Sequence, residues 1–363
     1  MVCHHGFDRN AAQAACRSQK KKLQMFSPND LYDKCYFQYN NDPFVVPWDF
    51  VLDNFNCTND MHVGIGCGGT YEPPTTTTTS AEAFLVTPCS TATWSREGTV
   101  VAGRNPNTGN SLIGPSGLYV NSNNTVFYTD PFRSAVIEWQ TGATFGKILA
   151  RPGLPHGLVV DDEETFYVTD DKQVTRWTKG ATVGETIISS AGILSGIAFD
   201  AKREHIYVVD TEKGVFKYDR DGTNAVLVIP KTEDISTIAV DSNGAIYWAN
   251  YVGDKVMKLS VNATSSIIIA GGNGKGNGTN QFWNPYGILV DRLGTLYITD
   301  TVNSRIVRVP SDGGAPTIIT GEQGQLRYPV NLTFDRLGNL YVIDNYSERV
   351  QMFTFDKTSC ARQ

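Results

Sequence analysis

Histidine and cysteine are the residue types in this sequence that could bind a transition metal. The chain contains five histidines, whereas a catalytic zinc ion alone needs three protein ligands in the right places. No Cys-x-x-Cys pair and no Cys/His pair has zinc-finger spacing. Four of the histidines precede the repeated part of the chain or fall in a predicted hairpin turn, namely His4, His5, His62 and His205. We therefore predict no metal site and no cofactor, and His156 is the one histidine expected near a ligand.

Two further motifs of catalytic or phosphate-binding chemistry are incomplete. The segment Gly272–Gly278 is rich in glycine, but no helix follows it and the P-loop spacing is absent. No Gly-x-Ser-x-Gly elbow occurs, so the α/β-hydrolase mechanism has no support. We expect Gly272–Gly278 to be a flexible loop.

Aspartates recur at the ends of short apolar segments, at Asp130, Asp170, Asp210, Asp300 and Asp344. Such a set could in principle surround a cation. Their constant place at strand ends, beside Arg305 and Arg349 in two repeats, instead favours hydrogen bonds to turns and ion pairs.

These aspartates belong to a repeated phrase in which each copy has an apolar segment containing a tyrosine. The tyrosines are Tyr128, Tyr167, Tyr207, Tyr247, Tyr297 and Tyr341, which lie 39, 40, 40, 50 and 44 residues apart by subtraction. The clearest copy, Pro285–Val309, reads as three antiparallel strands separated by turn residues. A period of about 40 to 45 residues with four strands is typical of propeller blades, whose sheets are stable only when stacked. The sequence predicts an all-β, six-bladed β-propeller.

The phrasing resembles the NHL repeat family, whose units run Pro-x-Gly-apolar, Asp-x-x-Gly, apolar-Tyr-Val-x-Asp and Asn-x-Arg-apolar. The fifth copy has Pro285, Gly287, Asp291, Gly294, Tyr297, Asp300, Asn303 and Arg305; the sixth has Pro329, Asp335, Gly338, Tyr341, Asp344 and Arg349. Copies three and four lack the opening proline, and Trp248 in the fourth is similar to the related Tyr-Trp-Thr-Asp propellers. The resemblance covers Glu97 to Phe355.

The ring is expected to close with strands from both ends of the repeated region. Thr99–Ala102 matches the outermost strands of later blades but precedes the first complete copy, and the last copy lacks an outer strand. Thr99–Ala102 should therefore complete the sixth blade and remove two exposed sheet edges. Cys89 and Cys360 flank this closure, and we predict a disulfide between them.

The segment before the repeats differs in composition. Five of the seven cysteines lie in the first 67 residues, and the phrases Val2–Phe7 and Trp48–Cys57 resemble landmarks of a scavenger receptor cysteine-rich domain. A small disulfide-bearing segment of another fold is the alternative. We predict a partial cysteine-rich segment at 1–70, a Thr/Pro-rich linker at 71–88 and the propeller at 89–363. The pairing of Cys3, Cys16, Cys35, Cys57 and Cys67 stays open.

Cysteine density favours an extracellular or cell-surface location. No signal peptide or membrane span is visible, and we expect an N-terminal piece to be missing. Candidate N-glycosylation sites are Asn56, Asn123, Asn262, Asn277 and Asn345; the sequon at Asn331 falls in an inner strand, where modification is not expected. With 31 basic and 37 acidic residues and a net charge of −6, the chain has no excess of basic residues for binding nucleic acid.

Near His156 the sequence resembles propeller enzymes, the amidating lyase of peptide hormones and calcium-dependent esterases. That resemblance implies three zinc-binding histidines, or channel-facing Asn, Asp and Glu for calcium. The positions equivalent to Asn331 in the other blades are Gly117, Gly157, Gly196, Thr237 and Gly287, a set too poor for calcium. We therefore favour a non-catalytic interaction module, expected to be a monomer. A propeller hydrolase or lyase, and an intracellular NHL-type scaffold for RNA or protein, remain alternatives.

Strand direction predicts which face of the ring binds a partner. Connections into the innermost strands share one face with the turns between second and third strands. The long connections Gly103–Pro115 and Gly271–Pro285 lie on that face. Loops carried by a rigid scaffold often bind partners, and aromatic anchors dominate interface energies. We predict that a protein or glycan binds over the channel mouth, with the candidate contacts His156, Phe282, Trp283, Tyr286 and Asn331.

Overall fold

The structure is a computed structural model, which describes residues 88–89, 91–103, 112, 114–321 and 324–360 together with the backbone of four earlier strands. The chain divides into two compact units, Met1–Thr78 and Thr79–Gln363. In the first unit the four strands form one sheet in the order β1, β4, β2, β3. Their bounds are β1 (Gln24–Phe26), β2 (Cys35–Tyr39), β3 (Asp42–Val46) and β4 (Gly64–Gly66). The scavenger-receptor resemblance and its cysteines concern side chains outside the described residues.

The second unit is a six-bladed β-propeller, as the sequence predicts. Two strands precede the first complete blade, β5 (Thr93–Trp94) and β6 (Thr99–Gly103). Blade one contains β7 (Leu118–Val120), β8 (Val126–Asp130), β9 (Ala135–Trp139) and β10 (Lys147–Ala150). Blade two contains β11 (Leu158–Val160), β12 (Phe166–Thr169), β13 (Gln173–Trp177) and β14 (Glu185–Ser189). Blade three contains β15 (Leu194–Phe199), β16 (His205–Asp210), β17 (Gly214–Asp219) and β18 (Val226–Pro230).

The remaining blades follow the same order, from the channel outward. Blade four contains β19 (Ile238–Val240), β20 (Ile246–Asn250), β21 (Lys255–Leu259) and β22 (Ile267–Gly271). Blade five contains β23 (Pro285–Val290), β24 (Leu296–Asp300), β25 (Arg305–Val309) and β26 (Thr317–Thr320). Blade six contains β27 (Pro329–Phe334), β28 (Leu340–Asp344) and β29 (Arg349–Phe353), and β30 (Phe355–Asp356) follows it. Two 3₁₀ turns are also described, Asn345–Ser347 and Lys357–Cys360.

The ring closes as the sequence predicts. Strand β6 pairs antiparallel with β29, with Val350 opposite Ala102, and so supplies the outer strand of blade six. Strands β5 and β30 form a second, two-stranded sheet beside this closure. A disulfide joins Cys89 to Cys360 across 271 residues of sequence, with the two Cα atoms 5.7 Å apart. The first and last residues of the propeller are thus held together by backbone pairing and by a covalent bond.

In blades two, four, five and six, the repeated tyrosine and the first aspartate of the repeat form one hydrogen-bonded unit. In blade four, Asp241 Oδ1 accepts the backbone N–H groups of Asn243 and Ala245, which closes the turn between the first two strands. The Tyr247 hydroxyl donates to the other carboxylate oxygen of Asp241 at 2.9 Å. The same pairing recurs in Tyr167–Asp161, Tyr297–Asp291 and Tyr341–Asp335. The buried tyrosine therefore needs the aspartate six residues before it as a hydrogen-bond partner.

The core consists of six clusters of buried side chains, one at each interface between neighbouring blades of the described ring. The cluster between blades five and six also includes Trp94, whose indole nitrogen donates to the carbonyl oxygen of Gly338 at 2.9 Å. Because each blade is buried by its neighbours, the closure of the ring stabilises every blade.

Candidate functional site

The strand directions give the propeller two different faces around one channel. We call mouth face the side with the connections into the first strands and the turns between second and third strands. We call turn face the side with the turns between first and second strands. A channel cavity of about 310 Å³ runs along the first strands of all six blades. Its mouth-face end is lined by Ser116, His156, Ser195, Ser236, Thr237, Tyr286 and Asn331.

Hydroxyl and amide side chains link neighbouring blades around the mouth. Each donates to a backbone carbonyl oxygen of the next blade, in the pairs Thr129–His156, Thr169–Ser195, Thr237–Tyr286, Thr301–Pro329 and Asn331–Ser116. The donor–acceptor distances run from 2.5 Å for Thr169 to 2.8 Å for Thr301. Side-chain-to-backbone bonds of this kind, buried or partly buried, fix both partners in place.

One link of this ring is absent among the described residues, between blades three and four. Val209 occupies the place of Thr129 and Thr169, and its side chain cannot donate. The hydroxyl oxygen of Ser195, in the first strand of blade three, is buried and makes no hydrogen bond in the structure.

His156 lies where the sequence predicts, at the channel mouth. Its backbone N–H donates to the Thr169 carbonyl oxygen at 2.8 Å, and its ring Nε2 lies 3.2 Å from Asp171 Oδ1. The side chain keeps about a third of its surface exposed, at 33%. The ring is held by the carboxylate and faces the cavity.

Asn331 and Tyr286 also line the mouth. The Asn331 amide nitrogen donates to Ser116 at 2.7 Å, and its Oδ1 accepts the backbone N–H of Leu332 at 2.8 Å, so this side chain already joins blade six to blade one. The Tyr286 ring centroid lies 6.4 Å from that of Tyr251. Burial raises the pKa of the Tyr286 hydroxyl, which therefore stays neutral and can donate at physiological pH.

Phe282 and Trp283 have different surroundings. Phe282 is fully buried at 0% exposure in the cluster between blades four and five, so the predicted ligand contact at Phe282 has no surface through which to act. Trp283 is 41% exposed, and Lys275 Nζ lies 4.2 Å from its ring centroid. Trp283 lies outside the cavity lining, on the outer part of the mouth face.

The loop that carries Trp283 is held by a buried arginine. The Arg305 side chain is 6% exposed, and its Nε donates to Asp300 at 2.7 Å. Its two other nitrogens donate to the carbonyl oxygens of Asn277, Gly278 and Gln281. Asp300 also accepts the backbone N–H of Trp283 at 2.8 Å, and Asn303 donates to the carbonyl oxygen of Gly276. The loop is therefore held on blade five by five hydrogen bonds, three of them from Arg305. Gly272–Gly278 is a loop, as the sequence predicts, and Arg305 holds the backbone at its C-terminal end; its flexibility stays a prediction.

The repeated aspartates bind turns and cations of the protein itself, as the sequence indicates. Asp130 pairs with Arg133, Asp210 with Lys213, and Asp344 with Arg349. Asp170 accepts the backbone N–H groups of Lys172 and Gln173. In blade six, Asp344 additionally accepts the N–H of Arg327 from the connection entering that blade, at 2.6 Å. Buried carboxylates thus fix both the turn and the loop next to it.

The sequence did not single out three other tyrosines of the mouth face, Tyr251, Tyr328 and Tyr346. The rings of Tyr328 and Tyr346 are stacked, with centroids 4.3 Å apart and an angle of 6° between their planes. Tyr346 is 62% exposed. A signal was present in the sequence, because Tyr328 directly precedes the first proline of blade six and Tyr346 follows the last aspartate of that repeat.

The turn-face end of the channel is charged. Arg203 lies between the channel cavity and a second cavity of about 410 Å³, and its NH1 bonds Asp162 Oδ1 at 2.5 Å. Arg220 pairs with Asp161, so two ion pairs join blade two to blade three at this end, and Lys179 pairs with Glu164 within blade two. His205 is also at this face, as the first residue of β16 and after the hairpin turn where the sequence placed it. Its Nδ1 lies 2.7 Å from Asp200.

The glycosylation sequons differ in exposure. Asn123, Asn262 and Asn277 are exposed, and Asn345 is half-buried at the start of a 3₁₀ turn. Asn56 lies outside the described residues. Modification at these five sites stays a prediction.

The fold and the channel define the class of this protein as a six-bladed β-propeller. No protein-family model matches the chain, and no curated protein matches it by sequence. The part of the chain that the structure describes contains no helix long and apolar enough to span a membrane.

Solved propellers resemble it in three dimensions. A protein of unknown function from Bacteroides thetaiotaomicron has a TM-score of 0.61 at 14% identity, covering 72% of each chain. An auxiliary nutrient binding protein from Bacteroides ovatus has a TM-score of 0.61 at 12% identity, covering 73% of this chain and 78% of the other. A gluconolactonase from Xanthomonas campestris has a TM-score of 0.55 at 15% identity, covering 75% of this chain and 99% of the other. At these identities the likeness shows the fold alone.

Proposed function

We propose that this protein is a non-catalytic interaction module that binds a protein or glycan partner on the mouth face, over the channel opening. The observation that carries the proposal is the exposed aromatic surface of that face, with Trp283 and Tyr346 on loops fixed by buried charges. Exposed aromatic side chains on rigid loops lose little entropy when a partner binds, and such residues dominate interface energies. The turn face offers mainly paired charges instead.

We further propose that the propeller is of the NHL type and works outside the cell. The hydrogen bonding of Asp300 with Asn303 and Arg305 supports the first point, because it uses the residues that carry the family resemblance. The disulfide between Cys89 and Cys360 supports the second, since structural disulfides persist in oxidising compartments. Mass spectrometry of a non-reduced digest of protein from its native source should find these two cysteines joined, and two free thiols would contradict the proposal.

The binding proposal is tested by comparing variants of the two faces. Wild-type protein and the variants Trp283→Ala and His156→Ala would be used to capture partners from extracellular fluid of the source tissue. A partner enriched by wild type would then be purified and its affinity measured by surface plasmon resonance. We expect Trp283→Ala to weaken binding by about tenfold or more, as for a residue at an interface hot spot.

The matched controls are Leu293→Ala and Leu337→Ala, which remove exposed apolar side chains of the turn face. They should leave the affinity unchanged. If the two leucine variants abolish binding while Trp283→Ala and His156→Ala do not, the partner docks on the turn face and the proposal is wrong.

A further inference from the structure

Four tyrosines form a continuous row along one side of the channel mouth, and we call Tyr251, Tyr286, Tyr328 and Tyr346 the tyrosine row. They come from blades four, five and six. Tyr251 lies beside Tyr286, and the stacked pair Tyr328–Tyr346 ends the row. Tyr286 and Tyr328 pack against the same buried cluster between blades six and one, which brings the two pairs to one side of the mouth.

The backbone at Tyr328 indicates that its side chain is there for a reason other than local folding. The residue before the first proline of a blade has the left-handed conformation in three blades, with φ of 61° at Gly114, 60° at Asn284 and 61° at Tyr328. Glycine and asparagine adopt this conformation readily, whereas for tyrosine it is unfavourable. Strained residues concentrate at ligand sites. A simpler explanation for a tyrosine at this position is packing, because Tyr328 is partly buried against the cluster between blades one and six. Packing does not explain its partner Tyr346, whose ring is mostly exposed.

The chemistry of the mouth fits a neutral ligand that is rich in hydroxyl groups. Of the described residues lining the channel cavity, Arg203 is the one with a permanent charge, and it lies at the turn-face end. At the mouth the lining consists of hydroxyl, amide, imidazole and phenol groups. The phenol of Tyr286 and the imidazole of His156 can each donate to or accept from a ligand hydroxyl. A nucleic acid also stacks on tyrosines, but its phosphates need clustered lysine or arginine.

We infer that the mouth face binds a neutral carbohydrate, with the apolar face of one pyranose ring against Tyr346 and the sugar hydroxyls toward the channel mouth. A pyranose has a flat C–H face and a hydroxyl edge, which matches an exposed aromatic face bordered by hydrogen-bonding groups. Tyr328 stacks under Tyr346 and positions it. This inference rests on the proposed function and narrows its partner to a glycan.

The test uses the full chain on an array of neutral oligosaccharides built from hexose and N-acetylhexosamine units, followed by calorimetric titration with the best binder. We expect wild type to bind at least one such oligosaccharide. Tyr346→Ala should weaken that binding at least tenfold, whereas Tyr346→Phe should retain it because the ring face remains. Tyr328→Asn, which copies blade five, should weaken it while the protein stays folded. Phe145→Ala is the matched control, because Phe145 is 68% exposed between the third and fourth strands of blade one.

Three results would overturn the inference: wild type binding no neutral oligosaccharide, wild type binding acidic oligosaccharides only, or Tyr346→Ala binding as wild type does. A partner protein captured equally well before and after enzymatic removal of its glycans would also overturn it. That last result leaves the proposed function intact, provided that Trp283→Ala and His156→Ala weaken capture. Unchanged capture by those two variants contradicts the proposed function itself.

Discussion

The two ends of the channel hold neighbouring blades together by different means. At the mouth face, neutral side chains such as Thr169 and Asn331 donate to backbone carbonyl oxygens of the next blade. At the turn face, ion pairs such as Arg203–Asp162 and Arg220–Asp161 join blade two to blade three. The first kind is short, directional and at least partly buried; the second is partly exposed and screened by salt.

This difference explains why one end suits a binding surface. Because small buried groups fix the mouth-face backbone, the larger aromatic side chains there are not needed to hold the ring and can contact a partner. At the turn face the large polar side chains are themselves the connections. A partner docking there would have to compete with existing ion pairs.

The largest effect expected from this comparison is the difference in stability loss between one arginine variant at each face. Arg305→Ala at the mouth face leaves Asp300 buried without its counter-charge and leaves three carbonyl oxygens without a donor. We expect it to lower the free energy of unfolding by about 3–5 kcal/mol. The turn-face control Arg203→Ala, which removes a partly exposed pair with Asp162, should cost about 1 kcal/mol or less. Urea denaturation measures both, and equal losses would refute the distinction.

The second effect concerns a single hydroxyl. Thr169→Val keeps the shape of the side chain but removes the donor to Ser195 O and the acceptor for the Gly157 N–H. Leaving these buried groups unpaired should cost about 1–3 kcal/mol. Thr186→Val is the matched control. Thr186 lies on the outer strand β14, and its hydroxyl makes an exposed hydrogen bond to the side chain of Gln173, so its loss should change stability by less than about 0.5 kcal/mol. A similar loss in both variants would mean that burial at the mouth does not matter.

The fold was predictable from the sequence because each blade repeats the same physical unit. The spacing of Tyr247 and Asp241 in one blade recurs as Tyr297 and Asp291 in another, and both pairs make the same hydrogen bond in the structure. The closure of the ring was predictable for a similar reason, because Thr99–Gly103 has the sequence pattern of the outer strands of other blades.

The site was only partly predictable, because it depends on differences between blades. His156, Tyr286 and Asn331 follow from their place at the start of inner strands. Phe282 and Trp283 are neighbours in sequence, but their side chains point to opposite environments, which no loop pattern specifies. Tyr346 needs its stacking partner Tyr328, and that contact arises from a left-handed backbone that tyrosine does not favour.

The third effect is a gain in stability at the interface between blades three and four, where the side-chain hydrogen bond of the other interfaces is absent among the described residues. Val209→Thr places a hydroxyl near the Ser236 carbonyl oxygen of blade four. Both Val209 Cγ2 and this oxygen lie close to Gly196, at 3.2 Å and 3.3 Å from the position that a Cβ of residue 196 would occupy. A new bond there should stabilise the protein by about 1 kcal/mol. Ile343→Thr is the control, because Asn331 already makes the link from blade six, and the added hydroxyl should destabilise. Thermal unfolding measures both variants. A lower stability of Val209→Thr would mean that the interface between blades three and four does not lack a stabilising hydrogen bond.

The smallest effect belongs to the turn face. Lys179→Met removes the ion pair with Glu164, in which the lysine side chain is 75% exposed and the N–O distance is 2.6 Å. Exposed pairs contribute about 0.2–1 kcal/mol, and salt near 1 M screens charges beyond about 3 Å. We expect a loss of about 0.5 kcal/mol in dilute buffer that disappears in 1 M sodium chloride. The loss from Thr169→Val should persist in the same salt, because a neutral buried hydrogen bond is not screened. If the Lys179→Met loss exceeds that of Thr169→Val, or survives high salt, the turn-face ion pairs stabilise the protein as much as the hydrogen bonds at the mouth do, and the contrast between the two ends fails.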